Sequence, residues 1–189
     1  MTKVLITGFL GFVGTETKKL FEERGLEVVG FDLMEKNDIR DIGDLRNFIV
    51  KHQPDRILHL AAIARFAEAD KDPKLAFETN VLGTKNVVKV ASKYHIPLVY
   101  ASTGSVYMPI KKDPPITEDF PAMGNYVYGC TKYVGELYVR ECRSPWIILR
   151  YAHLYGKEKR GHGLIGGFLD RIERGLAPTL YGGTQSNDF

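Results

Sequence analysis

A tyrosine and a lysine stand four residues apart in the segment "YGCTK" (128–132). If this segment is helical, Tyr128 and Lys132 lie one turn apart on the same face. An ammonium group near a phenol stabilises the tyrosinate, so it lowers the tyrosine pKa from its ordinary value of about 10. Tyr128 could then act as a general acid or base that Lys132 tunes. The spacing alone is also common on a helix surface, because the chain has 10 tyrosines.

Hydroxyl side chains follow an apolar run in the segment "VYASTGSVY" (99–107), at Ser102, Thr103 and Ser105. In a doubly wound sheet, ligands bind beyond the carboxyl ends of the strands. A hydroxyl, a phenol and a lysine near a nicotinamide can move a proton while a hydride moves to or from carbon. These hydroxyls favour the chemical interpretation of the tyrosine and lysine over the structural one.

A glycine-rich segment, "TGFLGFVG" (7–14), lies between the first predicted strand and the first predicted helix. Its glycines let the backbone turn sharply and approach a ligand, and the N–H groups at the helix start face that ligand's phosphates. Gly8, Gly11 and Gly14 are therefore expected to hold a pyrophosphate.

An acidic residue, Asp32, ends the second predicted strand. At this place after a glycine loop, an acid accepts hydrogen bonds from the ribose hydroxyls and repels a 2′-phosphate. The sequence therefore predicts NAD rather than NADP as the cofactor, although Lys36 is close enough in sequence to approach a phosphate.

Short apolar runs alternate with segments of helical period along the chain. The runs predict five strands, at 3–7, 27–32, 56–62, 97–102 and 146–152. Long helices are expected at 74–94 and 125–142. This alternation predicts an α/β fold, a Rossmann-type doubly wound parallel sheet. The proline-rich segment 108–121 is expected to be a long loop.

Composition excludes several classes of protein. The 189 residues are 44% hydrophobic and 26% charged, which is typical of one folded domain with a full core. The net charge of +3 comes without a basic block, so nucleic acid is not an expected partner. The 2 cysteines lack the spacing of a zinc site, and no metal is expected. No apolar run is long enough for a membrane helix, and we expect a cytoplasmic location.

Taken together, the motifs resemble the extended short-chain dehydrogenase/reductase superfamily, in its NAD-dependent nucleotide-sugar epimerase/dehydratase branch. The resemblance runs from Lys3 to Phe189. Besides the glycine loop and "YGCTK", it rests on "FD" (31–32), "DI" (38–39), "HLAA" (59–62), "TNVLGTKNVV" (79–88), "STGSVY" (102–107) and "LRYAHLYG" (149–156).

The resemblance implies roles for individual residues. Thr103, Tyr128 and Lys132 would be catalytic, and the tyrosine and lysine would also contact the cofactor. Ser105 and His153 would bind the substrate, although many members have an asparagine at the position of His153. Further cofactor contacts would come from Phe9, Leu10, Phe12, Val13, Asp38, Ile39, Leu60, Ala61, Ala62, Asn80 and Tyr151.

The implied activity is that of an NAD-dependent nucleotide-sugar epimerase, in which a sugar hydroxyl is transiently oxidised and the hydride is returned. Gly104 and Ser105 follow Thr103 where dehydratases and decarboxylases of the family carry acids, which favours an epimerase. Two alternatives stay open. One is an NAD-dependent dehydrogenase of a uronate or small alcohol in the same superfamily. The other is a non-catalytic NAD-binding module.

The resemblance also predicts the domain organisation and the partners. Residues 1–156 would form the NAD-binding Rossmann domain, and residues 157–189 would begin a substrate-binding lobe that is incomplete because the chain is truncated. A nucleotide sugar is the expected substrate. Family members commonly form homodimers through two helices, which here would be 74–94 and 125–142.

Overall fold

The computed structural model describes residues 1–107, 116–124, 126–156 and 163–177, without the side chains of residues 163 and 164. Most of the loop predicted at 108–121, and more than half of the lobe predicted at 157–189, lie outside these residues. The chain divides into two compact units, Met1–Arg150 and Tyr151–Phe189. The domain boundary predicted after residue 156 stays a prediction.

Five strands form one sheet in the order β2-β1-β3-β4-β5. Strand β1 pairs in parallel with β2 and with β3, and β3 pairs in parallel with β4. The sheet order changes direction between β1 and β3, which is where ligands bind in folds of this kind. The strands are β1 (Lys3–Thr7), β2 (Glu27–Phe31), β3 (Arg56–His59), β4 (Leu98–Thr103) and β5 (Trp146–Tyr151).

Seven α-helices occur in the described part of the chain: α1 (Phe12–Glu23), α2 (Ile42–His52), α3 (Phe66–Lys71), α4 (Pro73–Phe77), α5 (Thr84–Tyr94), α6 (Val127–Arg140) and α7 (Gly163–Glu173). Helix α7 belongs to the second unit. Asp41 caps α2 by accepting the N–H groups of Gly43 and Asp44. Asp72 caps α4 by accepting the Leu75 N–H, and Pro73 occupies the first turn of that helix.

The sheet has apolar side chains on both faces because successive residues of a strand point to opposite sides. Leu5 belongs to the larger core cluster, which includes residues of α2, α5 and α6. Val4 and Ile6 belong to the smaller cluster, where Phe21 of α1 packs. Helices therefore cover both faces of a parallel sheet, and the predicted Rossmann-type fold is confirmed.

Three elements differ from the sequence-based expectation. The helix predicted at 74–94 consists of α4, a wide π-helical turn (Glu78–Gly83) and α5. Helix α3 was not expected. Strand β3 ends at His59 rather than at residue 62, because its neighbour β1 ends at Thr7 and the chain turns away at Gly8.

No helix in the described ranges combines the length and the apolar character that crossing a lipid bilayer requires.

Candidate active site

The glycine loop joins β1 to α1 at the centre of the sheet. Gly8 has φ +72°, a conformation that other residues rarely adopt, and its N–H donates to the Phe31 carbonyl at 2.9 Å. A Cβ on Gly8 would lie 2.7 Å from the backbone nitrogen of Ala61. A Cβ on Gly14 would collide with the Gly8 carbonyl oxygen and the Phe9 backbone. These contacts leave room only for glycine at both positions.

The start of α1 fits a phosphate group. Its N-cap residue is Gly11, so no side chain caps the first turn. The first N–H groups of any α-helix lack carbonyl partners within the helix, and they attract anions. The close packing of Gly8 and Gly14 brings this helix start against the end of β1. The residues present therefore fit the pyrophosphate of a dinucleotide.

Asp32 lies beside this loop, at the carboxyl end of β2. One of its carboxylate oxygens accepts the Leu10 N–H at 3.1 Å, and the other accepts the Met34 N–H at 3.0 Å. An ionised carboxylate has about four acceptor positions, so Asp32 can still accept from ribose hydroxyls. Lys36, which could approach a phosphate, is exposed and has φ +64°.

Asp38 and Ile39, predicted to flank the adenine, are held by contacts within the chain. The Arg40 guanidinium forms a salt bridge with the Asp38 carboxylate at 2.6 Å, and this hydrogen bonding holds the Asp38 pKa below its ordinary value. Ile39 is buried, and its side chain lies where a Cβ on Gly83 would be. Contact with adenine through either residue stays a prediction.

The segment that follows β3 is fixed by buried polar groups. The Ala61 N–H donates to the Thr7 hydroxyl at 3.3 Å. The Asn80 side chain accepts the Ile63 N–H at 2.8 Å and donates to the Ile63 carbonyl and to the Thr131 hydroxyl, at 3.0 Å each. Asn80 therefore ties this segment to α6, and its side chain has partners on both. Leu60 and Ala62 are partly exposed within the same segment.

The wide turn explains how Asn80 reaches these partners. A π-helical turn holds one residue more than an α-helical turn, and such turns are frequent at functional sites. The turn spans Glu78–Gly83, and Asn80 within it is fully buried.

Thr103 and Tyr128 come together as predicted. Thr103 is the last residue of β4, and Tyr128 lies in the first turn of α6. Burial raises the pKa of the Tyr128 phenol, and a side-chain hydrogen bond with Thr103 acts in the lowering direction. Ser105 is near as well, because its N–H donates to the Thr103 hydroxyl at 3.2 Å.

Lys132 is buried one turn further along α6 and is 2% exposed. Its Nζ lies 4.1 Å from the centre of the Tyr100 ring. Burial lowers the pKa of Lys132 from 10.5 to about 7, and Glu136 acts in the opposite direction. In this geometry burial dominates the pKa of the Tyr128 phenol, and the Lys132 Nζ lies against the Tyr100 ring, so a lowering of the Tyr128 pKa by Lys132 stays a prediction.

A histidine that the sequence did not single out lies beneath the site. His59, at the end of β3, is fully buried between two threonines, with Nδ1 at 2.6 Å from the Thr7 hydroxyl and Nε2 at 3.0 Å from the Thr84 hydroxyl. Burial, and secondarily the charge of Lys132, lowers the pKa of His59 to about 3. The imidazole is therefore neutral at physiological pH.

Glu136 and Arg150 form a second group that was not predicted. Glu136 is one further turn along α6 and is fully buried. Arg150 of β5 contacts it through Nη2 at 2.6 Å. The repeated four-residue spacing from Tyr128 could have drawn attention to this acid, since an acid among buried positions of a helix requires a partner.

Two predicted residues, Tyr151 and His153, belong to the second unit, so their proposed contacts stay predictions. In the first unit, the Phe66 ring contacts two tyrosines. The Phe66 ring meets Tyr126 edge-on at 5.5 Å and Tyr128 at 5.4 Å. Phe66 was missed because α3 was not expected.

Comparisons with known proteins agree with this arrangement. A family model described as "NAD dependent epimerase/dehydratase family" matches residues 4–189. The chain is 31% identical to a putative UDP-glucose 4-epimerase of Methanocaldococcus jannaschii, over 98% of this chain and 68% of that protein.

Two solved structures are similar as well. One is the UDP-glucose 4-epimerase of Thermus thermophilus in complex with NAD, with a TM-score of 0.83 and 28% identity over 93% of this chain. The other is a dTDP-4-dehydrorhamnose reductase of Clostridium acetobutylicum, with a TM-score of 0.82 and 26% identity over 92% of this chain. The chain spans 64% and 60% of these two proteins, less than two thirds of their length. The predicted family is confirmed.

Proposed function

Because the chain belongs to the NAD dependent epimerase/dehydratase family, we propose that it carries the cofactor and catalytic site of an NAD-dependent nucleotide-sugar epimerase. The observation that supports this most is the contact between Thr103 and Tyr128 at the carboxyl end of β4, with Lys132 one helical turn away. The names of its relatives make UDP-glucose the first substrate to test.

NAD would be held by the glycine loop and by Asp32. The backbone around Gly8, Gly11 and Gly14 would receive the pyrophosphate, and the Asp32 carboxylate would accept hydrogen bonds from the ribose. When bound, NAD supplies an acceptor for a hydride and later returns it, so no net oxidation of the sugar results.

Side chains of this protein would accept and return the proton of the sugar hydroxyl. In the first half of the reaction Tyr128, as the tyrosinate, would accept the proton of the sugar hydroxyl. In the second half the neutral phenol, which is the form that burial favours, would donate that proton to the sugar carbonyl oxygen. The Thr103 hydroxyl would hydrogen-bond the same oxygen and orient it. Removal of a proton from a sugar hydroxyl requires the tyrosinate, and the Lys132 ammonium is a cation on the same helix face that favours it.

An epimerase is favoured over other activities of the family by the residues after Thr103. Gly104 and Ser105 carry no acid or base that could eliminate water or assist loss of carbon dioxide. The main rival is a net dehydrogenase or reductase, and similarity to the reductase structure supports it. The two activities differ in whether NADH accumulates with substrate. Homodimer formation and a cytoplasmic location stay predictions.

The first experiment is mass spectrometry of small molecules released when the purified protein is denatured. Near-stoichiometric NAD is expected. Turnover is then followed with UDP-glucose by chromatography of the sugar products, and the absorbance of NADH is recorded in parallel. Lasting NADH would indicate the dehydrogenase, whereas bound NAD without turnover of any nucleotide sugar would indicate a binding module.

The second experiment compares Tyr128→Phe with the matched control Tyr126→Phe. Both rings contact Phe66, but only Tyr128 meets Thr103. Loss of a general acid or base costs about 10²- to 10⁴-fold in rate. We expect a decrease of this size in kcat for Tyr128→Phe with unchanged NAD affinity, and a change of only a few-fold for Tyr126→Phe. Equal activities of the two variants would contradict the role of Tyr128.

A further inference from the structure

Glu136 is a fully buried acid whose carboxylate is held by other elements of the first unit. The Ser102 hydroxyl of β4 donates to Oε1 at 2.6 Å. Arg150 of β5 donates to Oε1 through Nε at 2.9 Å and to Oε2 through Nη2 at 2.6 Å. Arg140, on the helix of Glu136 itself, is further away at 3.8 Å. Both carboxylate oxygens therefore have partners that fix their position.

Glu136 lies on the catalytic face of α6. Tyr128, Lys132 and Glu136 follow each other at intervals of four residues, so they lie above one another on one helix face. Lys132 and Glu136 are 2% and 0% exposed. Glu136 raises the pKa of Lys132 against the effect of burial, and little water screens two buried charges on consecutive turns.

Among the residues that the structure describes, the other titratable groups around Lys132 do not supply a negative charge. Tyr100 of β4 presents its ring to Nζ, and burial raises the pKa of its hydroxyl. His59 of β3 is neutral, because its pKa is about 3. Tyr128 on the same helix is a neutral phenol, since burial raises its pKa. A cation in such surroundings tends to lose its proton unless an anion compensates it.

We propose that Glu136 is a positioning residue that acts through Lys132: its buried carboxylate, clamped by Arg150 and Ser102, is the counter-ion that keeps the lysine charged behind Tyr128. Arg150 limits this effect, because it neutralises part of the same negative charge. This inference rests on the proposed function only for its consequence in catalysis. The charge relation itself can be measured without substrate.

A purely structural role is the alternative. The Glu136–Arg150 pair joins α6 to β5, and breaking a buried ion pair from either side costs stability. Both roles predict a less stable protein when either residue is replaced. They differ in the charge state of Lys132, which the two replacements should change in opposite directions.

The test measures the pKa of Lys132 by NMR, on protein labelled with ¹³C at the lysine Cε positions, with the resonance assigned from its absence in Lys132→Met. The wild-type resonance is expected to titrate near pH 7. Removal of an opposite charge shifts a nearby group by about one pKa unit or more. We expect Glu136→Gln to lower the pKa of Lys132 by at least that amount, and Arg150→Gln to raise it.

Two further variants serve as controls. Ser102→Ala keeps the charge of Glu136 and should leave the Lys132 pKa within a few tenths of wild type. Glu136→Asp keeps a carboxylate at this position, so its Lys132 pKa should lie much closer to wild type than that of Glu136→Gln. If Glu136→Gln does not fold, the direction in which Arg150→Gln shifts the Lys132 pKa decides alone, and an increase is expected. The proposal would be overturned if the Lys132 pKa stayed unchanged in Glu136→Gln and Arg150→Gln, or if both variants shifted it in the same direction.

A kinetic measurement then connects the charge to turnover. The pH dependence of kcat in Glu136→Gln should lose activity on the alkaline side at a lower pH than wild type, because the lysine gives up its proton earlier. Absence of turnover in the wild type would contradict the proposed epimerase, yet the NMR titrations would still test the role of Glu136.

Discussion

The assignment of NAD rather than NADP as the cofactor can be tested by replacing one residue, Asp32. Loss of a hydrogen bond to a charged group costs about 1.5–3 kcal/mol. Asp32→Ala is therefore expected to weaken NAD binding by roughly ten-fold or more. Binding of NADP should weaken less or improve, because the carboxylate no longer repels the 2′-phosphate. Titration calorimetry with both dinucleotides measures the two affinities.

Asp72→Ala is the matched control for this variant. Asp72 is an exposed acid that also accepts a backbone N–H, from Leu75 at 2.9 Å, but it caps α4 instead of facing the glycine loop. Its loss should cost about 1 kcal/mol of stability, as for other N-caps, with NAD affinity unchanged. If both variants bind NAD as the wild type does, Asp32 does not contact the ribose.

The packing of α6 on the sheet depends on one glycine. A Cβ on Gly135 would collide with the hydroxyl of Tyr100, which is fully buried and cannot move aside. Replacement of an exposed helical glycine by alanine usually stabilises a helix by about 1 kcal/mol. Here the overlap with the Tyr100 hydroxyl should outweigh the higher helix propensity of alanine. We expect Gly135→Ala to lower the free energy of unfolding by about 1–3 kcal/mol. Urea unfolding followed by circular dichroism measures this change.

A glycine in α7 provides the comparison. Among the described residues, a Cβ on Gly167 would meet no atom within 4 Å apart from the backbone of its own helix. Gly167→Ala should therefore cause no loss of stability in the same assay. A stable Gly135→Ala variant would show that α6 can move away from β4.

At the level of elements, apolar runs and glycine placement predicted the five strands and the parallel sheet. They could not predict where β3 ends, because that depends on its neighbour ending at Thr7. The wide turn at Glu78–Gly83 was also missed, since its residues have an ordinary helical pattern. Thr103 and Tyr128 were predicted together from local motifs. Arg150 was missed because only the folded sheet brings it to Glu136.

For the whole molecule, the buried His59 makes stability depend on pH. Its pKa is about 3 in the folded chain and 6.5 when unperturbed, so the unfolded chain binds more protons between these values. Stability is therefore lost as the pH falls from 6.5 toward 3. One such group contributes a slope of up to about 1.4 kcal/mol per pH unit.

His59→Gln removes this contribution and is tested by urea unfolding at several pH values. Between pH 6.5 and 5, where carboxyl groups contribute less, we expect its stability to fall less steeply than that of the wild type. Unfolding at pH 8, where the histidine is neutral in both states, measures the packing cost of the substitution separately. Equal slopes would show that His59 is protonated in the folded chain.

The π-helical turn between α4 and α5 tolerates substitutions and deletions to different degrees. Exchange of an exposed side chain in Glu78–Gly83 alters composition but keeps the path of the backbone. Deletion of a single codon would leave an ordinary helical turn and rotate everything before it by about 100° relative to α5. Asn80 would then miss Ile63 and Thr131. In this stretch, inheritance has to preserve the number of residues as strictly as the identities of the buried Asn80, Val81 and Gly83.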